Sequence, residues 1–149
     1  MPIFEVLTPV PAAPEELFDL SLDVGTHTAS MSGSGERIVG GVRTGRMRLG
    51  DEVTWSARHF GVRWRMTSRI TAYSRPVRFV DEQVRGPFRR WHHEHLFSWD
   101  PDAEVTMMRD VIAFVAPVGV VSHALLGPYM RNLIERRNAH LAASFRGVR

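Results

Sequence analysis

Between Val62 and Ala72 the chain alternates, with Val62, Trp64, Met66, Ile70 and Ala72 on one face and Arg63, Arg65, Thr67, Arg69 and Thr71 on the other. A period of two with one apolar and one charged face marks a strand that is dry on one side and wet on the other, the habit of an antiparallel sheet. Turn signals bound this strand and repeat along the chain: Leu49-Gly50-Asp51, Phe60-Gly61, Ser74-Arg75-Pro76, Gly86-Pro87 and Asp100-Pro101-Asp102. They predict six strands near 36–47, 51–60, 62–74, 77–86, 88–99 and 104–116. Links this short predict a meander of hairpins.

The flanking segments follow other periods. Ile3, Glu5, Leu7 and Pro9 begin a first strand, which the prolines at 9, 11 and 14 end because proline cannot continue a ladder. Pro14-Glu15-Glu16 suits a helix opening, with Leu17, Phe18 and Leu20 as its buried side to about Asp23. Gly25 to Gly35 is polar and rich in Ser, Thr and Gly, which fits a second short helix or an ordered loop. After Pro117-Val118-Gly119, apolar residues recur at steps of three and four from Val121 through Leu133, Ile134 and Leu141 to Phe145. That is an amphipathic helix, with Pro128 predicted to kink or locally break it. The order β-α-α-β6-α predicts a single α+β domain over residues 1–149, a seven-stranded sheet closing on a long C-terminal helix.

Composition narrows the chemistry. The chain has no cysteine, which removes disulfides, thiolate nucleophiles and thiolate metal sites. All 19 basic residues are arginine, so Schiff-base chemistry and the lysine of a phosphate-binding P-loop are excluded as well. The formal charge is only +3 and the arginines are scattered, a distribution that argues against a nucleic-acid partner. No apolar run approaches the roughly 20 residues of a membrane span, and the first residues lack the pattern of a secretion signal. A cytoplasmic location is the resulting expectation.

Several segments resemble a known superfamily. These are Val10-Pro11-Ala12-Ala13-Pro14-Glu15-Glu16-Leu17-Phe18, then Gly50-Asp51-Glu52-Val53-Thr54-Trp55, then Phe79-Val80-Asp81-Glu82-Gln83-Val84 with Trp91-His92-His93-Glu94-His95-Leu96-Phe97. Together with the element order they are similar to the START and birch-pollen-allergen (SRPBCC) superfamily, in its bacterial polyketide cyclase/dehydrase-like or cell-division-inhibitor-like subgroup. The resemblance covers nearly the whole chain. It implies a helix-grip fold whose curved antiparallel sheet and C-terminal helix enclose a hydrophobic cavity. It does not fix an activity, because that superfamily holds carriers, cyclases and oxygenase domains. The polar segment from Gly25 to Gly35 lacks the tryptophan often found there in relatives.

The sixth strand carries the most unusual chemistry. Period two places Trp91, His93, His95, Phe97 and Trp99 on the apolar face and His92 and Glu94 on the wet one. A four-residue connection at Asp100 to Ala103 sets Asp110 opposite His93, and a tight turn at Gly86-Pro87 sets Asp81 opposite it on the other side. Asp81, His93 and Asp110 then form a row across three strands that could serve as acid–base machinery. The bland reading is a buried polar network satisfying itself. His93 and His95 could share a metal with His59 or Asp110, but a lone HxH is a weak signal, and neither metal nor cofactor is assigned.

The expected partner is a small hydrophobic ligand. His59 and His95 would anchor its polar atoms, and Trp55, Trp64, Met66, Trp91, Phe97, Met108 and Phe114 would surround it. His27, in the polar segment, is either at the cavity mouth or simply exposed. An acid–base enzyme of cyclase, dehydratase or isomerase type is the alternative, and a protein-interaction module the third. Monomer and homodimer are both left open.

Overall fold

The computed structural model describes residues 3–116 and 119–146. Its strands are β1 (Ile3–Val10), β2 (Arg37–Gly41), β3 (Glu52–His59), β4 (Val62–Ser74), β5 (Arg78–Arg85), β6 (Arg90–Asp100) and β7 (Val105–Val115). Helices α1 (Pro14–Ser21) and α2 (Val24–Ser30) follow β1, and α3 (Gly119–Arg146) closes the chain. The strands form one antiparallel curved sheet in the order β1-β7-β6-β5-β4-β3-β2. Thus β2 to β7 are the expected meander, and the first strand pairs with the last.

Local chemistry explains the joints. Pro14 opens α1 with Glu15 and Glu16 in its first turn, where acids meet the positive end of the helix dipole. Asp23 caps α2 by accepting a 2.8 Å hydrogen bond from the Thr26 amide. The polar segment therefore forms a short helix and a 3₁₀ turn, Ser32–Ser34. His59 pairs with Val62, and Phe60 and Gly61 between them have φ of 54° and 73°. Two positive φ values are what a two-residue hairpin needs to match strand twist.

Two boundaries differ from the sequence reading. The strand expected near 36–47 ends at Gly41, after a bulge between Ile38 and Gly40. Gly41 has φ of 74°, and a Cβ there would collide with the Glu52 carbonyl, so the chain turns away from the sheet. The second difference is at Pro128, where α3 runs through without the local break.

The core has two parts. Leu17 and Phe18 of α1, Phe79, Phe97, Met108 and Leu141 of α3 belong to one buried cluster. Trp91, Ile112, Phe114 and Ile134 belong to the other. Helix α3 thus seals both, and the space between helix and sheet is what remains.

Candidate functional site

That space is a cavity of about 230 Å³. It exceeds the roughly 150 Å³ void that accommodates one benzene ring, so there is room for a larger ligand. Its wall is mainly apolar, with Trp55, Met66, Trp91, Leu133 and Ile134 among the lining side chains. Phe60 and Trp64 also line it while remaining 63% and 40% exposed, which marks the β3–β4 hairpin as the end that meets solvent.

The polar groups converge at one place. His93 and His95 are two apart on β6, so both rings point inward, stacked at 3.7 Å between centroids. Phe79 stacks on the other face of His95 at 4.0 Å. His93 Nε2 lies 2.7 Å from Asp110 Oδ1, and His95 Nε2 lies 2.7 Å from Asp81 Oδ2. His93 Nδ1 is 3.8 Å from Asp81, beyond hydrogen-bonding range. Behind the rings, Arg137 donates to Asp110 Oδ1 at 3.2 Å, and Asn138 Nδ2 donates to Asp110 Oδ2 at 2.7 Å and to Thr8 Oγ1 at 3.0 Å.

Burial and charge fix the protonation of this cluster. Burial opposes ionisation of Asp110, but Arg137 and the two histidines outweigh it and hold the carboxyl below the ordinary carboxylate range. Asp81 is likewise opposed by burial; His93, His95 and Arg137 hold it down at about 2. Burial, reinforced by His93 and Arg137 and resisted by Asp81, holds His95 down at about 3. A neutral His95 donates from Nε2 to Asp81. Its Nδ1 is then an acceptor, and Arg137 Nη2 lies 3.4 Å away to supply the donor. An ionised Asp110 requires His93 to donate from Nε2, which leaves Nδ1 turned towards Asp81.

A second polar group lies towards the solvent end. His59 Nδ1 is 2.6 Å from the Tyr129 hydroxyl of α3. Burial pushes the His59 imidazole below its ordinary value, against the pull of Glu36. His27 of α2 stacks on Trp55 at 4.3 Å and meets Glu36 at 2.7 Å.

The register carries a correction. Asp81 pairs with His93 as expected, but Asp110 pairs with His95, and Ile112 faces His93. The connecting loop is residues 101–104 rather than 100–103, because Asp100 pairs with Val105. Asp100 Oδ1 accepts from the amides of Asp102 and Ala103 at 3.0 and 3.3 Å, and so folds that turn. The slip is two residues, which keeps Asp110 on the inward face, and its carboxylate reaches His93 diagonally.

Asp81, His93, His95, His59, Trp55, Trp64, Met66 and Trp91 line the cavity. Phe97 and Met108 lie in the solid cluster around Phe18, and Phe114 in the cluster with Ile112. Their positions on the inward face are right, but they sit where α1 and α3 close directly on the sheet. Trp99 is 48% exposed, since the inward face of β6 runs past the end of the core. Sequence reasoning missed Arg137, Asn138 and Tyr129. The first two had a signal: Ile134, Arg137, Asn138 and Leu141 follow the apolar period of α3, so two polar residues occupy its buried stripe.

A seven-stranded antiparallel sheet gripping a long C-terminal helix over a lined cavity defines the helix-grip, SRPBCC class. Residues 1–146 match the family model described as polyketide cyclase / dehydrase and lipid transport, and the chain belongs to that family. No curated protein matches its sequence. Among solved structures, it is similar to protein Ms6760 from Mycobacterium smegmatis at 13% identity and a TM-score of 0.74, covering 99% of this chain and 92% of that one. TTHA0849 from Thermus thermophilus is similar at 16% identity and a TM-score of 0.71, with 96% and 99% covered. The ginseng major latex-like protein 151 from Panax ginseng is similar at 14% identity and a TM-score of 0.62, with 93% and 96% covered. At these identities the likeness is one of fold. No helix among the described residues is long and apolar enough to cross a membrane.

Proposed function

We propose that the protein binds one small, mainly apolar ligand in this cavity, with an oxygen-bearing end set against Asp81, His93 and His95. The observation that supports this most is the combination of an apolar wall and one polar cluster around a cavity of about 230 Å³. Apolar burial supplies the affinity and a few converging polar groups supply orientation. The family description, which names lipid transport and polyketide chemistry, fits a ligand of that type. Native mass spectrometry of freshly purified protein tests it. A small adduct that is released on denaturation and extracts into organic solvent is expected. Failure of the protein to retain any added apolar compound would overturn the proposal.

An acid–base reading has one specific observation behind it: the 2.7 Å contact between His93 and Asp110. A carboxylate on Nε2 fixes the tautomer and leaves Nδ1 as a base on the cavity side, as a cyclase or dehydratase needs. In that case His93→Gln retains ligand binding but loses turnover.

A further inference from the structure

We propose that Asp81, His93 and His95 form a binding site for one divalent transition-metal ion of the zinc type at the polar end of the cavity. The proposal rests on the site described above, and it adds a Lewis-acidic centre to the ligand-binding reading. Three lines of observation support it.

The first is the donor set and its spacing. One carboxylate and two imidazoles each offer a ligand atom, and the three atoms lie within 4.8 Å of one another. Zinc–ligand bonds of about 2.0–2.2 Å in a tetrahedron separate neighbouring donors by roughly 3.3 Å. Asp81 Oδ2 lies 2.7 Å from His95 Nε2 and 3.8 Å from His93 Nδ1, on either side of that spacing. Closing these gaps takes shifts of about half an ångström together with a rotation of the two imidazoles, which are stacked at 19° here, so that both lone pairs aim at one ion. HxH on one strand provides two of the ligands without any loop having to move.

The second is what stands behind the ligands. A metal-bound imidazole commonly gives its other N–H to a carboxylate, which orients the ring and raises its basicity. Asp110 Oδ1 stands 2.7 Å from His93 Nε2 and 3.4 Å from His95 Nδ1, so one carboxylate is within reach of both rings. Asn138 and Arg137 in turn hold Asp110. On metal binding His95 changes tautomer: the proton on Nε2 is given up to the solvent side and one is taken at Nδ1, which exchanges its 3.4 Å contact with the Arg137 N–H for one directed at Asp110. The exchange leaves the ring neutral.

The third is charge and access. Asp81 Oδ2 and Asp110 Oδ1 set two carboxylates against the two rings, and the Arg137 guanidinium pairs with Asp110. A divalent cation beside Asp81 would be attracted by both carboxylates. Asp81, His93 and His95 line the cavity, and Asp110 stands behind them. The remaining coordination positions therefore face the space assigned to the ligand, and would take a water or a ligand oxygen. Occupancy by metal and action of His93 as a base exclude one another, because a coordinated Nδ1 has no lone pair left for a proton.

The test is a titration of chelator-treated full-length protein with Co²⁺, read by its visible absorption, and with Zn²⁺ by calorimetry. Wild type is expected to bind one equivalent. Asp81→Asn is expected to lower the affinity at least about tenfold, and His93→Gln and His95→Gln to remove it. His92→Gln, on the opposite face of the same strand, is expected to change nothing. Circular dichroism checks each fold; should the histidine variants unfold, Asp81→Asn decides, because its side chain is 21% accessible and it leaves the Asp110–Arg137 pair intact. Absence of stoichiometric binding, or binding that survives Asp81→Asn, would overturn the proposal. Binding of an apolar fluorophore in the same samples separates the two readings. Fluorophore bound without metal removes the metal site and leaves the ligand cavity standing, and loss of both removes both.

Discussion

His93 places its Nε2 2.7 Å from Asp110, although the residue facing His93 across the β6–β7 ladder is Ile112. The contact runs diagonally between strands, and it exists because Asp110 is anchored from α3 by Arg137 and Asn138. The polar cluster is thus a joint between sheet and helix as well as part of the cavity wall.

Arg137→Met tests the joint. It leaves the carboxylate of Asp110 buried without its guanidinium, a loss typically worth about 3–5 kcal/mol. Asp110→Asn combined with Arg137→Met is expected to recover part of that loss, because no uncompensated charge then remains. Urea unfolding of the single and double variants measures both.

Acid should destabilise the fold well above the usual carboxylate range. Folding lowers His95 from 6.5 to about 3. Below about pH 6.5 the unfolded chain therefore binds a proton that the folded chain refuses. Stability is full above that value and falls by about 1.4 kcal/mol per pH unit towards pH 3. Asp81, lowered from 3.8 to about 2, adds a further loss between those values, because there the unfolded carboxyl takes up a proton that the folded one does not. His95→Gln is expected to flatten the slope between pH 6.5 and 4 in unfolding titrations.

Phe18 is fully buried and meets Tyr73, Phe79 and Phe97 edge-on at 5.3 to 5.4 Å. Phe18→Ala is expected to cost about 3–5 kcal/mol in unfolding free energy. Phe18 is not among the lining residues, so the surviving folded protein should still bind an apolar fluorophore.

At the solvent end, Tyr129→Phe removes the 2.6 Å contact to His59. The expected cost is about 0.5–1.5 kcal/mol. In wild type the His59 ring should titrate below 6.5, as burial disfavours its charged form. A histidine-resolved NMR titration checks this, and a value above 6.5 would contradict the burial of that ring.

How much of this was legible in the sequence depends on which force set each feature. The strands from 51 onward and α3 were legible because binary patterning fixes them, and turn residues mark their ends. The end of β2 was not, since the turn at Gly41 depends on a close approach to Glu52 of a neighbouring strand. Asp81 facing His93 followed from a tight turn. Asp110 came out two residues off because an aspartate-capped loop could begin at 100 or at 101. Period two kept it on the correct face all the same. Arg137 and Asn138 escaped because a polar residue in an apolar stripe reads as noise until its buried partner is known. The hollow itself is not a property of any pattern: Phe97 and Met66 look alike on their strands, and only the packing of α1 and α3 decides which one meets solid core.

Ala57 is buried on β3 and lines the cavity, so Ala57→Phe places a ring in the space assigned to the ligand. Equilibrium titration of wild type and Ala57→Phe with an apolar fluorophore tests the central claim most directly. Saturable binding of one molecule per chain is expected for wild type, with affinity at least about tenfold lower in the variant at unchanged circular dichroism, since a loss of about 1.4 kcal/mol already amounts to that factor. Equal binding by the two proteins, or none by wild type, would contradict it.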